Sequence, residues 1–220
     1  MSVLRAKNVG KFYGSFPALR SLSFTVEAGQ CVALLGRNGA GKTTLLKILG
    51  GLSRASEGEY QNTARISLLG HGIGVYDELS GRQNLEFFAA LSPVAIDTEA
   101  WLKKVNLDQV ADAQLREYSR GMRQRLALAR TFMGEPELLL LDEPFTSLDD
   151  KATALLQTLL QEALQRGAAV VLSTHQIPEA MALATHVLFL ERGKLAYSGP
   201  RPEEMLADPG WLYRNYGAVA

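Results

Sequence analysis

The segment Gly36-Arg37-Asn38-Gly39-Ala40-Gly41-Lys42-Thr43 constrains this chain more than any other stretch. It fits the pattern G-x-x-x-x-G-K-[ST] and lies between the apolar run Cys31-Val32-Ala33-Leu34-Leu35 and a helical pattern over residues 43–49. Glycines without side chains let the backbone curl round a phosphate and aim successive N–H groups at its oxygens. The N-terminus of the following helix adds partial positive charge. In this cradle, which runs on into Thr44, Lys42 is a point charge for β- and γ-phosphates, and the Thr43 hydroxyl is a ligand for Mg2+.

A phosphate held so locally agrees with the charge balance of the 220 residues. Lys and Arg number 23 against 23 Asp and Glu, which argues against a broad electrostatic grip on nucleic acid or anionic lipid. An apolar share of 47% with 21% charged residues belongs to a folded globular chain and excludes disorder. The one cysteine, Cys31, sits in the apolar run before the cradle and reads as core filler. The opening residues carry no secretory-type apolar region, and no run approaches the roughly 18 apolar residues of a membrane span, so any membrane component is expected from other chains.

Short stretches at residues 3–9, 21–26 and 30–35, separated by Tyr13-Gly14 and Glu27-Ala28-Gly29, read as strands and hairpins. The helix after the cradle is expected to stop at Gly50-Gly51, where glycine tolerates a left-handed cap. Apolar runs at 138–141, 168–172 and 187–190 alternate with helical patterns at 151–166 and 178–184, which implies a parallel sheet covered on both faces. Between about 72 and 133, helical patterns dominate, with Leu85, Phe87, Phe88 and Leu91 in one stretch and Trp101, Leu102 and Val105 in another. The expected organisation is one domain, with an α/β core from 1–71 and 134–220 and a helical lobe at 72–133 that tilts against it. The tail, with Trp211, Tyr213 and Tyr216, reads as one or two short helices packed back on the body.

The second half bears the chemistry. Leu138-Leu139-Leu140-Leu141-Asp142-Glu143 is a buried strand that delivers two carboxylates at its C-terminal end, the edge where open α/β sheets bind ligands. Asp142 is placed to hold Mg2+, and Glu143 to take a proton from an attacking water or to orient it. Ser119, before a strong helix, is an N-cap candidate, so its hydroxyl and the helix N–H groups form a second anion site. Asp149 or Asp150, taken alone, is an N-cap of the next helix. Thr174-His175 follows another apolar strand, at an edge where an imidazole can donate to a γ-phosphate.

In order and over nearly the whole length, these motifs resemble those of the ATP-binding subunits of ATP-binding cassette (ABC) transporters. The resemblance implies an α/β P-loop NTPase core with a mixed or parallel sheet, an N-terminal antiparallel β subdomain and an inserted helical lobe. It implies a homodimer or paired ABC subunits that bind ATP and Mg2+ between the cradle of one subunit and the signature segment Ser119-Arg120-Gly121-Met122 of the other. Hydrolysis would be coupled to separate transmembrane subunits, with no nucleic-acid partner and a peripheral position on the cytoplasmic, inner face of the membrane. Further implied roles are adenine stacking for Tyr13, the D-loop for Ser147 to Asp149, a switch histidine at His175, and catalysis by Lys42, Glu143 and His175.

Two departures stand out. His71 takes the place of the family's junction glutamine, where it can still contact metal or water, and Gln83 comes too late to substitute. In the signature, Tyr118 replaces a leucine, Arg120 a glycine and Met122 a glutamine. Small size, Leu69-Gly70-His71 and the Ser-Arg-Gly-Met signature resemble compact exporter ATPases, including the haem-exporter subunit of cytochrome c maturation. Two alternatives are a nucleotide-sensing ABC module without efficient hydrolysis and a soluble non-transport ABC ATPase.

Overall fold

Buried and exposed side chains alternate along the first two strands, so that Leu4, Ala6 and Val9 meet Leu19, Leu22, Phe24 and Val26 on one covered face. In the computed structural model, which describes residues 1–70, 74–146, 148–208 and 210–217, these strands are β1 (Ser2–Tyr13) and β2 (Phe16–Glu27). They pair antiparallel, with register shifts that accommodate the left-handed residues Asn8 and Ser21. Next come β3 (Cys31–Gly36), α1 (Lys42–Leu49), β4 (Glu57–Asn62) and β5 (Ile66–Leu69). The helical stretch holds α2 (Gly81–Ala90), α3 (Thr98–Lys104) and α4 (Arg120–Phe132). The remainder is β6 (Leu138–Asp142), α5 (Asp150–Gln165), β7 (Ala169–Ser173), α6 (Ile177–Leu183), β8 (His186–Glu191), β9 (Lys194–Pro200), α7 (Glu204–Ala207) and α8 (Trp211–Tyr216).

Two sheets result. The smaller is antiparallel in the order β2-β1-β4, and the larger runs β5-β6-β7-β3-β8-β9, parallel except for the β8-β9 hairpin. The larger sheet is apolar on both faces because successive residues serve different cores. Cys31, Ala33 and Leu35 pack with α5 and α6, whereas Val32 and Leu34 pack with α1 and the β1-β2 hairpin. Among the described residues no helix is long and apolar enough to cross a membrane.

The expected strands and helices are present, together with β4, β5 and β9. These three escape periodicity because β4 is a polar edge strand, β5 has four residues and β9 is half-exposed. The left-handed residue after α1 is Gly51 (φ 74°), while Gly50 keeps φ −80°. In the helical stretch Leu85, Leu102 and Val105 enter a third core with Leu115, Leu126 and Ala129, but Phe87 and Leu91 face outward. Tyr118 also lies in this core, where its hydroxyl donates to the Val110 carbonyl at 2.7 Å. Gln83 is committed to a capping box, its side-chain oxygen accepting the Ser80 N–H at 2.9 Å.

Cys31 is fully buried, and desolvation pushes its thiol up to about 12. Only roughly one molecule in ten thousand would carry the thiolate at pH 8. Folded protein is therefore expected to react with Ellman's reagent no faster than it unfolds, and immediate stoichiometric labelling of native protein would contradict this packing.

Candidate functional site

The cradle joins β3 to α1, and two of its glycines are dictated by close approach. At Gly36 (φ 147°) a Cβ would lie 2.4 Å from the Leu190 carbonyl oxygen. At Gly41 (φ 108°) it would lie 2.5 Å from a Leu19 methyl and 2.8 Å from the Ala18 carbonyl oxygen. The loop is tied from behind, Ala40 N–H donating to Arg37 O at 3.0 Å and Gly193 N–H to Ala40 O at 3.2 Å. Lys42 is 9% exposed and donates to the carbonyls of Gly36 at 2.8 Å and Arg37 at 3.4 Å. Burial lowers the pKa of this ammonium, and the negative charges of Glu143 and Asp142 oppose that shift.

Parallel register brings the C-terminal ends of β6 and β7 beside the cradle, with Asp142 opposite Ser173. Ser173 Oγ donates to Asp142 Oδ1 at 2.5 Å and accepts the Glu143 N–H at 3.1 Å. Glu143 turns the chain with a left-handed φ of 54°, uncommon for a residue with a side chain. Its Oε2 receives the His175 N–H at 3.1 Å and stands 2.8 Å from the His175 ring Nδ1. The carboxylate is 13% exposed and the imidazole 63%, so the histidine presents its far edge to the opening.

A cleft of about 630 Å3 collects most of the residues singled out from the sequence: Tyr13, Asn38, Gly39, Gly41, Lys42, Thr43, Thr44, Asp142, Glu143 and His175. Tyr13 is 54% exposed at its rim, with the Lys11 ammonium 5.3 Å from the ring centre. Gly36, Arg37 and Ala40 belong to the same loop without lining the cleft themselves. Thr43 and Asp142 are hard oxygen donors on one cleft, a set that suits Mg2+.

The signature residues stand apart. Ser119 caps α4 by accepting the Met122 N–H at 3.2 Å. Arg120 lines a separate cleft of about 290 Å3 with Gln124, Thr146 and Leu148 that also reaches Asp142 and Glu143. Asp149 caps α5, accepting the Ala152 N–H at 2.7 Å, and its other oxygen would be 3.0 Å from a Cβ on Gly121. The signature and Asp149 are thus neighbours within one chain, outside the cleft that holds Lys42. His71 and Ser147 lie outside the described residues.

Sequence reasoning missed Phe16, Thr146 and Ser173. Phe16 follows the Gly14-Ser15 turn, and its exposed ring could have been paired with Tyr13 from spacing alone. Ser173 ends an apolar strand immediately before Thr174-His175, and only the strand register reveals its reach to Asp142.

Residues 19–146, more than half of the chain, match the family model described as ABC transporter. The chain belongs to the ABC transporter ATP-binding family. The cytochrome c biogenesis ATP-binding export protein CcmA 2 of Cupriavidus metallidurans is 39% identical over 190 residues, covering 80% of this chain and 90% of that protein. The Nod factor export ATP-binding protein I of the same organism is 33% identical over 222 residues, covering 93% of this ABC subunit and 73% of that protein. A solved ATP-binding subunit of an ABC transporter superposes with a TM-score of 0.85 at 26% identity, covering 99% of this chain and 95% of the other. A dimeric, post-hydrolysis ATP-binding cassette holding ADP and Pi gives 0.81 at 25% identity, covering 90% and 99%. The ABC subunit described here is an ATP-binding ATP hydrolase of the transporter class.

Because one hydroxyl bonds both the Asp142 carboxylate and the Glu143 peptide N–H, Ser173→Ala is expected to fold with a stability loss of about 1–3 kcal/mol, the cost of an unmet buried hydrogen bond. Its ATP turnover should fall about tenfold or more, equivalent to about 1.4 kcal/mol of barrier. Phosphate-release assays beside urea unfolding check both, and unchanged turnover would leave Ser173 a packing residue.

Proposed function

We propose that this ABC subunit binds MgATP in the cradle of residues 36–43, closes head-to-tail on a second cassette, and reopens on hydrolysis, driving substrate through separate transmembrane chains. The observation that carries the reading is the convergence of Lys42, Asp142, Glu143 and His175 on one cleft, while the N-terminus of α4 opens outside it. A second anion-binding end that does not line its own chain's Lys42 cleft becomes useful across a two-fold interface. Dimeric neighbours in the family support that arrangement.

In the closed pair Lys42 leaves its carbonyl contacts for the β- and γ-phosphates, and Tyr13 stacks on the base. Residues Gly36 to Thr44 supply N–H groups and the Thr43 hydroxyl. Ser119, Arg120, Gly121 and Met122 of the second copy face the γ-phosphate, with Asp149 beside them. Thr43 and Asp142 would hold Mg2+, which supplies charge neutralisation when bound. Glu143 takes a proton from the attacking water as its oxygen bonds the γ-phosphorus, and the bond to the bridging oxygen breaks, leaving ADP and phosphate. His175, hydrogen-bonded to Glu143, points its remaining ring edge at the transferring group.

The segment 72–133 acts as a lobe that tilts against the core, and its exposed aromatics support a docking surface for the membrane chains. Tyr76 and Phe87 are 46% and 41% exposed and pack with Phe88, whose ring carries the Arg130 guanidinium at 4.5 Å. Aromatic patches of this kind mark contact sites more often than free surface. Docking there places the subunit on the cytoplasmic face of the membrane. The export proteins among its relatives support an exporter, including the compact haem-exporter type.

Lys42→Ala should weaken ATP binding by about 3 kcal/mol, roughly a hundredfold, measured by titration calorimetry with Mg2+ present. Normal affinity would refute the role given to Lys42. Glu143→Gln should bind ATP, lose at least about a hundredfold in turnover and accumulate as a dimer in size-exclusion chromatography. Wild-type turnover would take Glu143 out of the reaction.

A further inference from the structure

The peptide that leads into α4 is held from two directions. Tyr118, the residue before the Ser119 cap, is buried in the core of the helical stretch, its hydroxyl donating to the Val110 carbonyl at 2.7 Å. The Tyr118 carbonyl, which belongs to the peptide entering Ser119, accepts from Arg123 Nε at 3.3 Å. Helical side chains lean toward the N-terminus, so an arginine four residues after the cap can reach back to the residue that precedes it.

The same guanidinium donates from Nη1 to Asp77 Oδ1 at 2.8 Å. Asp77 belongs to a turn built on a buried side chain. Asn84, fully enclosed, accepts the Tyr76 N–H at 2.8 Å and donates to the carbonyls of Tyr76 at 3.0 Å and Ser80 at 2.9 Å. Backbone bonds knit this turn to the segment before the signature, Leu115 N–H donating to Leu79 O at 3.0 Å and Arg82 N–H to Ala111 O at 2.8 Å. The carboxylate thus stands on a fixed base, and Arg123 spans from it to the entry of α4. A cation near a helix N-terminus opposes the helix dipole, which the Asp77 charge offsets. With Arg123 25% and Asp77 58% exposed, the ion pair adds little to stability, so its effect lies in geometry.

We propose that Arg123 is a positioning residue for closure of the two cassettes. Anchored on Asp77, its guanidinium holds the Tyr118–Ser119 peptide so that the signature segment meets the nucleotide bound by the other copy. Arg123 acts through Ser119. Losing the guanidinium frees that peptide to turn, which re-aims the Ser119 hydroxyl and leaves the cradle of residues 36–43 unchanged. The proposal rests on reading residues 119–122 as the half-site for a second cassette's nucleotide.

The test is sedimentation equilibrium of the full chain with ATP and Mg2+ in a Glu143→Gln parent, beside calorimetry with MgADP, which occupies the cradle without a γ-phosphate. The variants are Arg123→Ala, Asp77→Ala, the two together, and the exchanged pair Asp77→Arg with Arg123→Asp. Arg123→Ala is expected to dimerise about tenfold more weakly, roughly threefold for each of the two sites in a symmetric pair. Its MgADP affinity should stay within about twofold of the parent's, because the cradle is untouched. Asp77→Ala should lose less, since Arg123 keeps the carbonyl, and the double variant should be no worse than Arg123→Ala. The exchanged pair restores opposite charges, yet a carboxylate cannot donate to the Tyr118 carbonyl, so it should stay as weak as Arg123→Ala. Parent-like dimerisation of Arg123→Ala or of the exchanged pair overturns the proposal, as does a matching loss of MgADP affinity or a further loss in the double variant. Should Arg123→Ala fail to fold, unchanged dimerisation of Asp77→Ala overturns it. A parent that stays monomeric with MgATP would instead remove the two-cassette reading itself, and with it this proposal.

Discussion

The parallel register of β3, β7 and β6 is the constraint on which the rest of the molecule depends. Leu34 lies opposite Ser173, and Ser173 opposite Asp142, so the residues that leave these three strands emerge together at one edge. Since side chains alternate with a period of two, a slip of one residue would send Asp142 to the other face and swap the two apolar cores. Both faces being fully apolar, that slip would also bury the carboxylate among leucines. Hydrophobic burial thus fixes the sheet, and the sheet fixes where the charges stand.

Those charges are kept in mutual tension. Lys42 is largely removed from water, which disfavours its ammonium, yet Asp142 and Glu143 stand near enough to favour it. Its present bonds are to neutral carbonyls of its own loop, interactions weaker than those an anionic phosphate can offer. Glu143 is fixed more firmly, by Ser173 through its backbone and by His175 through its side chain. A cation held only by neutral carbonyls beside a fixed carboxylate is an arrangement suited to admitting one reactant and orienting another.

Much of this was legible in the sequence, because glycine spacing and continuous apolar runs are local signals. Residues 36–43 announced the loop, and 138–143 announced the strand end with its carboxylates. Other features depend on partners distant along the chain. Ser173 bonds Asp142 only because of strand register, and Leu190 meets Gly36 of the cradle only because β8 runs beside β3. Phe87 and Leu91 fit an apolar helical pattern yet face outward, since α2 buries Leu85 instead. Periodicity reports which residues are greasy, and packing decides which of them find a neighbour. Asp149 shows the opposite limit, where the bland reading as a helix cap was correct and its position beside Gly121 came in addition.

The long β1-β2 hairpin joins two unlike ends of the molecule. Its tip, at Gly14-Ser15, sits between Tyr13 and Phe16 at the mouth of the cleft, whereas Met1 pairs with Glu27 and accepts a hydrogen bond from Ala28 at the far end. Twelve extended residues separate these ends by roughly 40 Å at about 3.3 Å each. A tag or fusion partner attached ahead of Met1 therefore emerges well clear of the opening, while a loop grafted at the hairpin tip would hang over it like an awning.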